Sequence, residues 1–416
     1  MIKNLIIIIL MFSTLFPISF SFLPSVISTR FIAAILGSFI LFLSIMRRRK
    51  IRQGKMLTVF MLTILVSVWS FLCTLIFNLA GDYTYVKLPV TIFIIYLSSY
   101  LCLSAIKSFH GKVDFNLVTK YFIYTIVFQS IIVIAQFSSP EIAGFLIKIQ
   151  RLTEEQAGIA NYHLEDGSRF IGFGLLFYTA SFFYGTALVL IAFQLKYNGY
   201  NRKELIVSSL LYLFIFFVGM GLSRTTVVGF ITSMLLIIFP INNFSILLKL
   251  VFKFIIYIFL IVLSVFTVLK LFPNLFRGLD NLIGNAFDFF ISYINTGSVS
   301  SESASGTLDF LVFPEQASTY IVGTGLYEMY SSIGDFNYSD IGYLRLIYYF
   351  GFPGLVLFFL VEIKILNLAF KRKKLLPIYY SMLVILLVTN FKGLTTLAVI
   401  AMMFALIPND RIEESK

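Results

Sequence analysis

One feature constrains this chain more than any other: apolar blocks rich in Ile, Leu and Phe recur from end to end, with most charges confined to the stretches between them. Their lengths cluster at roughly 17 to 25 residues, enough for a helix to cross a hydrocarbon core of about 30 Å. The blocks run over 5–22, 31–46, 56–79, 88–106, 121–137, 170–195, 205–222, 225–240, 250–272, 341–363, 375–390 and 393–408. Twelve candidate spans follow. Membrane-spanning strands would alternate polar with apolar residues over about ten positions, and that alternation is missing. With 59% hydrophobic and 12% charged residues, an ordinary water-soluble fold is excluded. The expected class is therefore all-α: a polytopic integral membrane protein, one membrane domain over 1–416 with about 12 transmembrane helices.

The first block follows Lys3 and has no small-residue cleavage site after it, so it reads as a helix and not as a signal peptide. Residues 205–240 are almost continuously apolar, and one helix of that length would reach about 54 Å. A hairpin is required. The break falls at Gly219-Met220-Gly221-Leu222-Ser223-Arg224, where two glycines and a charge interrupt the run.

The net charge of +12 would suggest nucleic acid for a soluble protein, but the basic residues lie between apolar blocks, so no nucleic-acid partner is implied. With the N-terminus inside, the inner segments, which include the basic loops 47–55 and 371–374, hold 22 of the 32 Lys and Arg. The other ten face outward with 14 of the 20 acids. The positive-inside rule thus places both termini in the cytoplasm. Cys73 and Cys102 sit inside apolar segments, and no disulfide framework is implied.

Two outer loops are long. Residues 138–169 carry Ile142, Phe145, Leu146, Ile149 and Leu152 at helical spacing, read as a short interfacial helix, and the polar remainder reads as a loop. Residues 273–340 open with a second amphipathic row, Leu275, Leu279, Leu282, Ala286, Phe290 and Ile294, followed by a Ser/Gly-rich stretch, 296–306, and Gly323-Thr324-Gly325. A polytopic protein needs outer loops of this size only if they act outside.

Arginine at the outer edge of a span is the main chemical signal, because an ionised side chain at mid-bilayer costs about 2.5 to 3.5 kcal/mol and persists only with water or a partner. Arg169, Arg224, Arg277 and Arg345 fit that description. Their planar forks suit phosphate oxygens, and snorkelling to headgroups is the competing reading. Asp340, at the start of the tenth span, reads either as a helix cap or as a general base for a hydroxyl. Glu165 and Asp166 compete for that role or stand solvated in the loop. His110 and His163 read as surface residues, and no metal constellation assembles from them. Gly323-Thr324-Gly325 lacks the Gly-Lys-Ser/Thr of a nucleotide loop and reads as a tight turn. There is also no Gly-x-Ser-x-Gly elbow.

Three stretches together resemble the superfamily of O-antigen polymerases (Wzy-type) and O-antigen ligases. They are Arg169-Phe170-Ile171-Gly172-Phe173 with Gly185, then Gly221-Leu222-Ser223-Arg224-Thr225-Thr226-Val227-Val228-Gly229, and finally Gly323-Thr324-Gly325 with Ser339-Asp340-Ile341-Gly342-Tyr343-Leu344 and Gly351-Phe352-Pro353-Gly354. The likeness covers residues 120–408. It implies a GT-C-like architecture and, without any cofactor, transfer of a glycan from undecaprenyl pyrophosphate to a lipid-linked repeat unit on the periplasmic face of a bacterial inner membrane. Under it Arg169, Arg224 and Asp340 are catalytic. Arg345, Arg277, Tyr343, Ser339 and Glu165 bind substrate. Partners would be the lipid-linked repeat units, membrane lipids and a chain-length regulator. Ligases of the superfamily generally carry a histidine where this chain has Ser339-Asp340, which favours polymerase over ligase. Where relatives often carry an arginine late in the large loop, this chain has Thr307, and Arg277 lies much earlier. A lipid-linked oligosaccharide flippase is the alternative outside this family.

Overall fold

The structure, a computed structural model, describes residues 2–47, 54–77, 82–174, 177–197, 201–238, 311–326 and 341–408, with 281, 284 and 292 as isolated positions. The candidate span 250–272 and the amphipathic row that begins at Leu275 lie outside these residues, apart from the isolated positions. Seven helices among the described residues are long and apolar enough to cross a membrane, and two shorter apolar helices accompany them. This is the architecture of a helical membrane protein.

The chain divides into two compact units: the first holds 1–17, 26–122 and 299–416, and the second 18–25 and 123–298. In the first lie α1 (Ile2–Leu15), α2 (Thr29–Met46), α3 (Gly54–Phe77) and α4 (Leu88–His110). Helix α5 (Phe115–Ser138) begins there and counts with the second unit from Ile123. The second unit continues with α6 (Pro140–Ile149), α7 (Glu154–Asp166), α8 (Phe177–Tyr197), α9 (Arg202–Leu222) and α10 (Thr226–Ile238). The first unit closes with α11 (Ala317–Val322), α12 (Gly342–Phe370), α13 (Leu376–Thr389) and α14 (Ala398–Ala405). Helix α4 packs against α1, α2, α3 and α14, while α12 packs against α3, α11, α13 and α14. In the second unit α8 lies against both α9 and α10.

Several boundaries differ from the sequence expectation. Helix α1 stops at Leu15, not at residue 22, because Pro17 has no N–H to continue the ladder. Arg30 Nε and Nη2 satisfy the freed carbonyls of Thr14 and Leu15 at 2.7 and 3.3 Å. The polar part of 138–169 is not a loop but α7, started by a reciprocal capping box between Thr153 and Gln156. Helix α8 begins at Phe177, not at residue 170. The last apolar block, 393–408, is helical only over Ala398–Ala405. Asn390 folds the chain before it, accepting from Thr395 N at 3.1 Å and donating to Leu386 O at 2.8 Å.

Helix α12 carries a break that the apolar pattern conceals. Phe350 and Gly351 leave helical geometry, Gly351 at φ 67°, with Pro353 just beyond. Three carbonyls lose their helical partners there. Thr324 N donates to Tyr348 O at 2.6 Å, Gly325 N to Tyr349 O at 2.9 Å, and Trp69 Nε1 to Phe350 O at 2.8 Å. Gly323 and Gly351 permit this docking, since a Cβ on Gly323 would run into the Tyr349 and Phe350 backbone, and one on Gly351 into that of Ile321. Gly323-Thr324-Gly325 is therefore a plug for a kinked span as well as a turn.

Candidate functional site

The second unit brings together two arginines that are 55 positions apart in the sequence. Arg169 follows α7 and precedes a non-helical segment, 170–174, whose backbone groups are held from three sides. Phe170 N donates to Gly221 O at 2.9 Å, Gln129 Nε2 to Phe173 O at 3.1 Å, and Gly174 N to Gln150 Oε1 at 2.9 Å. These bonds replace the helix expected from residue 170. Arg224 sits in the tight turn between α9 and α10, where Thr226 N donates to Ser223 O at 3.1 Å and Val227 N to Arg224 O at 3.0 Å. The hairpin break thus falls where the sequence put it.

Small residues set the distance between the two segments. Gly185 on α8 and Gly229 on α10 meet backbone to backbone, so closely that a Cβ on Gly229 would overlap Gly185. This is the close crossing that small residues allow in membrane helices. Gly221 lies under the Phe170 ring, where a Cβ would come within 2.5 Å of it. A hydroxyl cluster braces the turn: Thr225 Oγ1 bonds Ser223 Oγ at 2.9 Å and also Ser181 Oγ of α8. The motif glycines therefore do packing work, and the packing places the arginines.

Both guanidinium groups belong to half-buried residues. Burial first, and then the charge of Arg224, lower the pKa of Arg169 from its ordinary value. Two like charges that influence one another in a partly desolvated setting repel, and an anion between them removes the repulsion. His163 joins the group: its Nδ1 lies 2.8 Å from Ser168 Oγ, next to Arg169. Sequence reasoning had put His163 on the surface. The signal that could have found it is the capping box, which makes α7 a helix and sets His163 one turn before its end.

The other candidates are placed as follows. Glu165 is exposed near the end of α7. Arg345 is half-buried in the first turn of α12, in the first unit. Tyr343 donates its hydroxyl to Leu387 O at 2.7 Å and packs its ring against Phe359 and Phe391 at centroid distances of 5.3 and 5.0 Å. Asp340, Ser339 and Arg277 lie outside the described residues. One group that the sequence reading left unassigned is Glu362, only 2% exposed within α12. Its carboxylate accepts from Thr396 Oγ1 at 2.5 Å and from Leu397 N at 2.7 Å, at the start of α14. Those bonds make it a helix cap supplied from a neighbouring span. No protein-family model, curated protein or solved structure matches the chain.

Proposed function

We propose that this chain is a membrane glycosyltransferase of the O-antigen polymerase kind, acting on glycans carried by undecaprenyl pyrophosphate. The single observation that carries the reading is that the segment bearing Arg169 lies against the turn bearing Arg224, with Phe170 N donating to Gly221 O at 2.9 Å beside the close crossing of α8 and α10. In the transfer the bond from the anomeric carbon to the pyrophosphate oxygen breaks. A new bond forms to an acceptor hydroxyl, whose proton passes to the carboxylate that this reading assigns as base, Asp340, and the pyrophosphate departs carrying additional negative charge. Two fixed guanidinium groups already in place stabilise that charge without reorganising, and a lost donor at such a site typically costs about 100-fold or more in rate. The leaving group supplies the energy, so the reaction calls for no nucleotide.

The remaining parts of the proposal follow from the same reading: twelve spans in a GT-C-like arrangement, a bacterial inner-membrane location, both termini cytoplasmic, and arginines on the periplasmic face. The positive-inside distribution supports that orientation. The test is to incubate purified protein in nanodiscs with lipid-pyrophosphate-linked repeat units and no nucleotide. A ladder of multiples is the expected product. Single units that cross a liposome bilayer would replace the reading with a flippase, and units joined to added lipid A-core would replace it with a ligase.

A further inference from the structure

His163 is a titratable group beside the arginine pair, and the transfer chemistry described above does not use it. It is half-buried in the last turn of α7, with Nδ1 2.8 Å from Ser168 Oγ. The contact is built by the backbone: Gly167, at φ 65°, ends the helix in the left-handed region and turns Ser168 back against the helix just completed. Asn281 Nδ2 donates to Asp166 O at 2.8 Å, a further tie on the same turn. The charged groups that act on the imidazole are Arg169 from the following segment and Asp166 from its own helix. Arg224 acts on Arg169 in turn, and the Tyr162 ring stands 5.3 Å from the imidazole. Helix α6 also packs against α7, but its Glu141 and Lys148 are exposed.

Burial and then Arg169 push the imidazole below its ordinary value, and Asp166 opposes them. An anion bound at Arg169 reverses the second effect, because it screens the guanidinium and itself favours the imidazolium. A proton gained makes both ring nitrogens donors, so Nδ1 then donates to Ser168 Oγ as a charge-assisted bond.

We infer that His163 is the titrating member of this anion site, taking up a proton when a diphosphate-class anion binds beside Arg169 and making affinity for that anion depend on pH. The inference rests on the reading of Arg169 and Arg224 as an anion pair. The imidazole pKa is higher with anion bound than without, so the extra affinity is fully present below the anion-free pKa. It is lost as pH rises through the anion-bound pKa.

The experiment is calorimetric titration of the full-length protein in nanodiscs with inorganic pyrophosphate, from pH 6 to pH 8, in buffers of different ionisation enthalpy. Wild type, His163→Asn and Arg169→Gln are compared. Asn can keep the hydrogen bond to Ser168 but cannot gain a proton, so a purely structural histidine would leave proton linkage unchanged. Pyrophosphate's own titration is common to all three proteins and cancels in the difference. Wild type is expected to take up more protons on binding than His163→Asn and to tighten by several-fold more between pH 8 and pH 6, approaching the roughly tenfold limit of a one-unit pKa rise as pH falls further. Equal proton uptake in both would overturn the role of His163 and leave the arginine reading standing. Equal affinity in wild type and Arg169→Gln, or no binding to either, would overturn the anion site itself and this inference with it.

Discussion

The two units each interrupt an apolar helix, and they treat the interruption in opposite ways. In the first unit the break at Phe350-Gly351 is fully satisfied: every freed carbonyl from Tyr348 to Phe350 has a donor from Thr324, Gly325 or Trp69. In the second unit the break at Ser223-Arg224 is braced by hydroxyls, but it also places one cation near another. Backbone polarity is settled within the protein at the first break, and the second sets a half-buried arginine into the turn. A hydrocarbon setting penalises unsatisfied backbone so heavily that a neutral break must be closed internally. Other cations in the chain behave like the first break: Arg30 covers the end of α1, Lys196 donates to Leu236 O near the end of α10, and Arg151 donates to the Ser21 and Leu23 carbonyls.

This contrast can be broken by substitution. Replacing Arg169 and Arg224 together with Gln should lower polymer yield by more than about 100-fold, while the thermal midpoint stays the same or rises as repulsion is removed. A parallel loss of stability and yield would erase the distinction between the units. Glu362→Ala should do the reverse in the first unit: it leaves the buried Leu397 N–H without an acceptor, while the exposed Thr396 hydroxyl can turn to solvent, and should cost about 2 kcal/mol in denaturant unfolding. Glu362→Gln, which keeps an acceptor, should cost less. Gly229→Ala tests the link between packing and site. Its Cβ overlaps Gly185, so α8 and α10 must separate, at about 1 to 3 kcal/mol, and yield should fall although both arginines remain. Trp69→Phe should have the smallest effect, about 1 kcal/mol for one hydrogen bond, and leave pyrophosphate binding unchanged.

The apolar blocks, the hairpin at 219–224 and the short helix Pro140–Ile149 were legible because each depends on a short stretch of sequence: run length, glycine and charge, or helical periodicity. Boundaries were misread where the backbone found partners elsewhere. Residues 170–174 are as apolar as a span, yet Gly221, Gln129 and Gln150 take their hydrogen bonds. The kink in α12 was written in Gly351 and Pro353, but its closure by Trp69 spans 281 positions and has no local sign. Among the candidate residues, Arg169 and Arg224 were singled out by charge at the edge of an apolar block, whereas the contact of His163 with Ser168 depends on α7, whose capping box was read as loop.

By itself the sequence determined that this chain lives in a membrane as helices, since hydrophobic run length is a local quantity that the bilayer thickness reads directly. Which cation-bearing segments lie side by side, and which cations cover helix ends, only the tertiary structure decided. Proximity between Arg169 and Arg224 comes from Gly185 meeting Gly229 and from Gly221 beneath Phe170. Such contacts are properties of pairs of segments, fixed by close packing and hydrogen-bond satisfaction, and no single segment contains them.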